Sequence, residues 1–163
     1  MENARTKPHE NDVTFREMNE DDLSDVMEIE IIELYDPWSP WAILSDMLYN
    51  ARAHYFVAYS NDNRVVGYIG FWDVHEKGFV SITKIAVASN AKRQGIGRAL
   101  MNEAICFALD EGCSYVQLEV YRSNIHAQVF YRHLGFVAAD GTNAAVMHDE
   151  KKLMVLDLEM ANM

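Results

Sequence analysis

Hydrophobic and polar positions change period several times along the chain. Val13 to Met18 reads as a short strand. Leu23, Val26, Met27, Glu30, Ile31 and Leu34 then recur at helical spacing, which predicts an amphipathic helix over roughly Asp21 to Tyr35. Asn19 suits its N-cap, and acids in the first turn suit the helix dipole. Asp36-Pro37-Trp38-Ser39-Pro40-Trp41 breaks that helix. Ser39 before Pro40 starts a second one, running to about Asn50. His54 to Tyr59 and Arg64 to Trp72 are rich in strand formers and flank a hairpin turn, Ser60 to Asn63.

Phe79 to Ala88 predicts another strand, entered through His75 to Gly78. The loop Ser89 to Arg98 opens a helix whose buried stripe is Ile96, Leu100, Ala104, Phe107 and Ala108, with Gly112 ending it. Tyr115 to Tyr121 is a strand. Ser123-Asn124 caps a helix to about Leu134, with Gly135 just past its end. Phe136 to Ala139 and Leu153 to Glu159 are terminal strands, and the polar stretch Asp140 to Lys152 has no readable period. Residues 1–11 read as a flexible tail and residues 12–163 as a single domain. The order β-α-α-β-β-β-α-β-α-β-β puts one strand–helix–strand crossover around Gly95, hence one parallel pair, while the hairpins give antiparallel ones. The expected architecture is a mixed α/β (α+β) fold, a mostly antiparallel sheet with helices on both faces.

The 163 residues are 50% hydrophobic and 24% charged, which fits a folded protein. The formal net charge of -11 excludes a phosphate-backbone binder, which needs clustered Lys and Arg. Twelve of the acids lie between Met1 and Asp36, against Arg5, Lys7 and Arg16. This acidic third is either a solvated face or an attractor of basic partners. Two cysteines, Cys106 and Cys113, make no disulfide framework. With no signal peptide and no apolar run near the ~20 residues of a membrane span, the expected setting is the cytoplasm, away from membranes. The six histidines show no ligand spacing, so no metal is expected.

The stretch Arg93-Gln94-Gly95-Ile96-Gly97-Arg98 joins a strand to a helix. Its glycines allow close backbone approach, and the first-turn amides of the helix lack internal partners, which suits a pyrophosphate. It is neither a Walker A loop nor a complete dinucleotide fingerprint. A tight turn with exposed arginines is the plainer reading of the same residues.

Lys84-Ile85-Ala86-Val87 followed by Lys92-Arg93-Gln94-Gly95-Ile96-Gly97 resembles the acetyl-CoA motif of the GNAT acetyltransferases, [QR]-x-x-G-x-[GA] after a strand, with Lys92 in the first position. Leu118-Glu119-Val120-Tyr121-Arg122-Ser123-Asn124 and Phe130-Tyr131-Arg132-His133-Leu134-Gly135-Phe136 are similar to motifs of the RimI-like branch, the ribosomal-protein alanine N-acetyltransferases. Ile29-Glu30 with Pro37-Trp38-Ser39 is similar to the same branch. Tyr121 stands where Arg is common, and the branch's usual stretch after Phe136 is not recognisable. The resemblance implies the GNAT fold and acetyl-CoA held by Ile85, Ala86, Val87, Lys92, Arg93, Gln94, Gly95, Ile96, Gly97, Arg98 and Asn124. It further implies transfer to the α-amine of a protein N-terminus, with Glu119 as general base and Tyr131 as proton donor to the departing thiolate.

Strand alternation sets Gln117, Glu119 and Tyr121 on one face and Val116, Leu118 and Val120 on the other. From the residues alone, Glu119 fits a structural ion pair as well as a base, and Tyr131 fits a core aromatic beside Phe130. Asn124, Ala127 and Tyr131 share one helical face. A phenol near its ordinary pKa of ~10 can exchange a proton with a thiol of ~8.5. Cys106, read as buried on its helix, is not expected to act as a nucleophile. A protein N-terminus is the favoured acceptor, a basic protein being one candidate. A lysine side chain, a small-molecule amine, and a non-catalytic acyl-CoA sensor stay open, and the oligomeric state is unassigned.

Overall fold

The computed structural model describes residues 13–139 and 150–161. The stretch between Asp140 and Lys152 lies mostly outside them, as does the N-terminal tail. The elements follow the predicted order. Strand β1 (Val13–Glu17) leads through a single 3-10 turn to α1 (Leu23–Glu33), then α2 (Pro40–Tyr49), β2 (Ala53–Ser60), β3 (Val65–Val74) and β4 (Phe79–Val87). Helix α3 (Ile96–Asp110), β5 (Tyr115–Tyr121), α4 (Ile125–His133), β6 (Val137–Ala138) and β7 (Lys151–Asp157) follow, with a final helical turn, Leu158–Ala161.

Local chemistry sets several boundaries. The Asn19 side chain accepts from the Asp21 amide, while the Asp22 carboxylate accepts from the Asn19 amide and takes a two-pronged ion pair from Arg16 at 2.7 and 2.8 Å. Ser39 caps α2 by accepting from Ala42, with Pro40 at the first helical position. The last strand starts two residues earlier than expected and stops at Asp157, whose carboxylate accepts from the Glu159 amide and turns the chain into its closing helical turn.

The strand order is β1-β2-β3-β4-β5-β7-β6, antiparallel except for β4 with β5. The parallel ladder pairs Phe79 with Tyr115 through to Ile82 with Leu118.

Two compact units share β3, β4 and α3: residues 1–70 with 84–101, and residues 71–83 with 102–163. In the first, Val26, Ile29, Ile43, Tyr55, Val57, Tyr68 and Ala86 form the core, with α1 and α2 against one sheet face. Gly67 projects to the other face, where a Cβ would lie 3.2 Å from Ile96 and Leu100 of α3. The predicted helices on both faces are thus found. In the second unit the core holds Phe71, Val116, Leu118, Phe136, Met154 and Leu156. Ile31, placed on the buried stripe by spacing, is exposed, and Ile29 is buried instead.

Gly70 has no room for a side chain. A Cβ there would stand 2.6 Å from Cε2 of Tyr55, a buried ring whose hydroxyl donates to Asp46 at 2.7 Å. Anchored at its far end, the ring cannot swing aside. Gly70→Ala is expected to destabilise the fold by about 1–3 kcal/mol, the usual cost of overpacking, measured by denaturant titration. An unchanged midpoint would mean that the ring yields.

Candidate active site

Burial alternates along β4, with Val80, Ile82, Lys84 and Ala86 inside. Lys84 is the exception in chemistry, an ammonium on an otherwise apolar face. Its Nζ lies 3.0 Å from Oε2 of fully buried Glu30 and 3.7 Å from the centre of the Trp38 ring. The Tyr68 hydroxyl donates to Oε1 of the same carboxylate, and the Trp38 amide donates to Oε2 at 2.7 Å. Burial pushes the Lys84 pKa down, and the Glu30 carboxylate opposes that shift. The network fixes the α1–α2 connection to the residue directly before Ile85. Ala86 is buried, and Ile85 and Val87 are half-buried.

The loop after β4 is tied down at one point. Glu33, the last residue of α1, accepts from Lys92 Nζ and Ser89 Oγ, each at 2.5 Å. Burial pushes its carboxyl up, but these two donors more than reverse that and hold it below its ordinary value. Lys92 therefore spends its ammonium on Glu33. Its neighbours Arg93, Gln94 and Arg98 are exposed, and among the described residues neither arginine pairs with a carboxylate.

Arg93 and Gly95 both take left-handed backbone, at φ 67° and 81°. A Cβ on Gly95 would meet nothing within 4 Å, so conformation rather than crowding explains the glycine. The first bond across the turn into α3 runs from the Ala99 amide to the Gly95 carbonyl. The amides of Ile96, Gly97 and Arg98 are left without an intrahelical acceptor. Orphan amides, a helix N-terminus and two guanidinium groups that pair with no described carboxylate make an anion cradle.

The second unit carries the remaining candidates. On β5, Val116, Leu118 and Val120 are buried, while Gln117 and Tyr121 are half-buried and Glu119 is exposed. Among the described residues Glu119 makes no ion pair, so the structural ion pair is not found there. Asn124 caps α4, its Oδ1 accepting from the Ala127 amide at 3.2 Å, which leaves Nδ2 as its remaining donor. Seven residues on from Asn124, about two helical turns, the Tyr131 ring stands 5.5 Å from Phe130 and 5.9 Å from Phe136. The residue is half-buried, and burial pushes the pKa of its hydroxyl up to about 12. No described group accepts from that hydroxyl. Tyr131 is thus a weaker acid than the ordinary phenol assumed from sequence.

One cysteine expectation changes. Cys106 is exposed and Cys113 is buried. Cys106 lies mid-helix, far from the α3 N-terminus that would favour a thiolate. Glu111, distant in sequence, joins the neighbouring Asp73 and His75 at the surface, with His75 Nδ1 2.8 Å from Asp73 and 3.8 Å from Glu111. These carboxylates raise the His75 pKa, chiefly through the Asp73 hydrogen bond.

Residues 15–136 match the Acetyltransferase (GNAT) family. A Bacillus subtilis (strain 168) protein assigned provisionally as a ribosomal protein bS18-alanine N-acetyltransferase is 32% identical over 120 residues, 74% of this chain and 78% of that one. Streptothricin acetyltransferase of Streptomyces lavendulae is 33% identical over 87 residues, 53% of this chain and 46% of its own length. The crystal structure of the ribosomal-protein-S18-alanine N-acetyltransferase from Escherichia coli superposes with a TM-score of 0.73 at 26% identity, covering 89% of this chain and 93% of that one.

Proposed function

The chain belongs to the GNAT acetyltransferase family and is an acetyl-CoA-dependent N-acetyltransferase, and from that premise we propose that its acceptor is the α-amine of a protein N-terminus, a ribosomal protein being the favoured class. The observation that carries this reading is the 32% identity to the Bacillus subtilis relative over most of both chains. Acetyl-CoA would place its pyrophosphate on the amides of Ile96, Gly97 and Arg98, with Gln94, Gly95 and the guanidinium groups of Arg93 and Arg98 around it. Lys92 would contribute through its backbone and its pair with Glu33. Nδ2 of Asn124 is a further donor for the cofactor.

The thioester carbonyl would accept from a backbone amide in Ile85–Val87, and the same amide would hold the oxyanion formed on attack. The acceptor must arrive as a neutral amine, because an ammonium has no lone pair. Glu119, exposed and uncommitted among the described residues, would take its proton directly or through a water. Collapse of the tetrahedral intermediate breaks the carbon–sulfur bond and releases CoA thiolate. Tyr131 would stabilise that thiolate by hydrogen bonding. Full transfer from a phenol at about 12 to a thiolate of ~8.5 is uphill by roughly 3.5 pK units, or about 5 kcal/mol, so the proton would be shared before solvent completes the step. The setting is read as the cytoplasm, and no described helix is long and apolar enough to cross a membrane.

A matched pair of peptides tests the acceptor. One has a free N-terminus and no lysine; the other is blocked at its N-terminus and carries one lysine. An α-amine at pKa ~7.7–8.0 gives up its proton more readily than a lysine at ~10.4, by roughly 3 kcal/mol. Acetylation of the first, read by mass, is the expected result. Preference for the second would overturn the N-terminal reading and promote a lysine or small-molecule amine, the latter in line with the streptothricin acetyltransferase match.

A further inference from the structure

Helix α1 carries apolar residues on its exposed side as well as its buried one. Val26 and Ile29 turn inward, yet Ile31 is 63% exposed and Ile32 72%. On α2, Ile43 and Asp46 face the core while Trp41, Leu48 and Tyr49 are exposed at 65%, 44% and 75%. A surface helix ordinarily turns its polar residues to water. Scattered exposed hydrophobics need no explanation, but this hairpin holds most of the large ones among the described residues. The two helices pack on each other. Beside Leu48 a cavity of about 370 Å³ opens between the end of β1, α2 and the start of β2. Met47, Leu48 and Phe56 give it apolar walls, and Glu17 and Glu20 also line it.

Charge decides what such a surface receives. Residues 17–51 contain ten carboxylates and no Lys or Arg. Arg16, Arg64, Lys84 and Lys92 reach some of them from outside, and the segment itself stays strongly acidic. A second copy would set two such surfaces against each other, which like charge opposes. A long cationic side chain fits the cavity well, since its stem is apolar and its head is charged.

We propose that the outer face of α1 and α2, with the cavity beside Leu48, docks a basic segment of the acceptor protein that carries interspersed apolar side chains. The segment lies downstream of the amine that is acetylated, so the inference rests on the N-terminal reading above. Docking there lowers the acceptor KM and leaves the chemical step alone.

The test uses three peptides with one shared, neutral N-terminal sequence. The first stops there, the second continues into a tail of mixed Lys, Arg, Leu and Phe, and the third carries the same tail with Glu for Lys and Arg. The expected result is a KM for the basic-tailed peptide about tenfold below that of the short one at equal kcat, with no gain from the acidic tail. The gain should vanish in the Trp41→Ser/Tyr49→Ser double variant and shrink in high salt, while the short peptide's kinetics stay unchanged. Equal KM values for all three peptides, or a gain that survives the double substitution, would overturn the proposal. So would a sedimentation mass of two chains that the double substitution halves, because the occupant would then be a second copy. Fluorescence anisotropy of the labelled basic tail alone separates this from the acceptor reading. If no N-terminus is acetylated, the function proposed above fails, whereas binding of the tail that depends on Trp41 and Tyr49 still establishes the dock and its absence removes it.

Discussion

Glu119→Gln is expected to bind acetyl-CoA with wild-type affinity and to turn over roughly 10²–10⁴-fold more slowly, the range general base catalysis supplies. The substitution keeps the shape and removes the basicity. It should not disturb the fold, because Glu119 is exposed and ion-paired to no described residue, while the burial of β5 rests on Val116, Leu118 and Val120. The rate loss should appear in kcat and kcat/KM alike, since a proton transfer acts in the transition state and not in substrate binding. Stopped-flow turnover with isothermal calorimetry for acetyl-CoA separates the two quantities. A small loss, constant across pH, would assign the proton to bulk water or another group. Tyr131→Phe is the companion measurement. With its hydroxyl at about 12 and unclaimed by any described acceptor, Tyr131 stays protonated across the working range. Its loss should slow CoA release without a change in the pH profile, and an unchanged rate would leave it as a packing residue against Phe130 and Phe136.

How much of this was legible in the sequence follows the range of the interactions. Ser39-Pro40 and Gly135 each act within a few residues, and the boundaries they mark are found, whereas Asn19 caps the 3-10 turn Glu20–Asp22 and α1 starts only at Leu23. The left-handed turn at Gly95 is equally local. The face of α1 was harder. Apolar residues at 26, 27, 29, 31, 32 and 34 fit more than one stripe, and only packing against β2 and β3 chooses Ile29 over Ile31. Partners distant in sequence were beyond reach. Glu30 was visible as a carboxylate on a buried stripe, but its donors Tyr68 and Lys84 come from 38 and 54 residues away. The pairing of Lys92 with Glu33, 59 residues distant, is likewise beyond any local pattern. The carboxylate on β5 was placed on the correct face by alternation. Its exposure was not, since nothing in a strand's own sequence says whether a neighbour covers it.

The Glu30–Lys84 pair gives the largest expected effect on stability. Removing one member of a buried pair typically costs about 3–5 kcal/mol, because the other is left as an uncompensated charge. Glu30→Gln should therefore lower the melting temperature by on the order of 10 °C for a domain of this size. Lys84 would remain buried under Trp38 with no carboxylate, and Tyr68 and the Trp38 amide would lose an anionic acceptor. The pH dependence identifies the cause. Lys84 ordinarily titrates at 10.5, and burial lowers its pKa in the folded chain. Between the two values the unfolded chain binds the additional proton, so stability rises with pH across that window. Without Glu30 the folded value falls further and the window widens downward, so the variant should recover part of its deficit on going from neutral pH toward 10. Adding Lys84→Met removes the charge, fills similar volume, and should restore most of the lost stability and abolish the pH dependence. Thermal melts of the single and double variants at several pH values decide the matter. A Glu30→Gln deficit that is flat with pH and persists in the double variant would show that the carboxylate acts through Tyr68 and Trp38 alone.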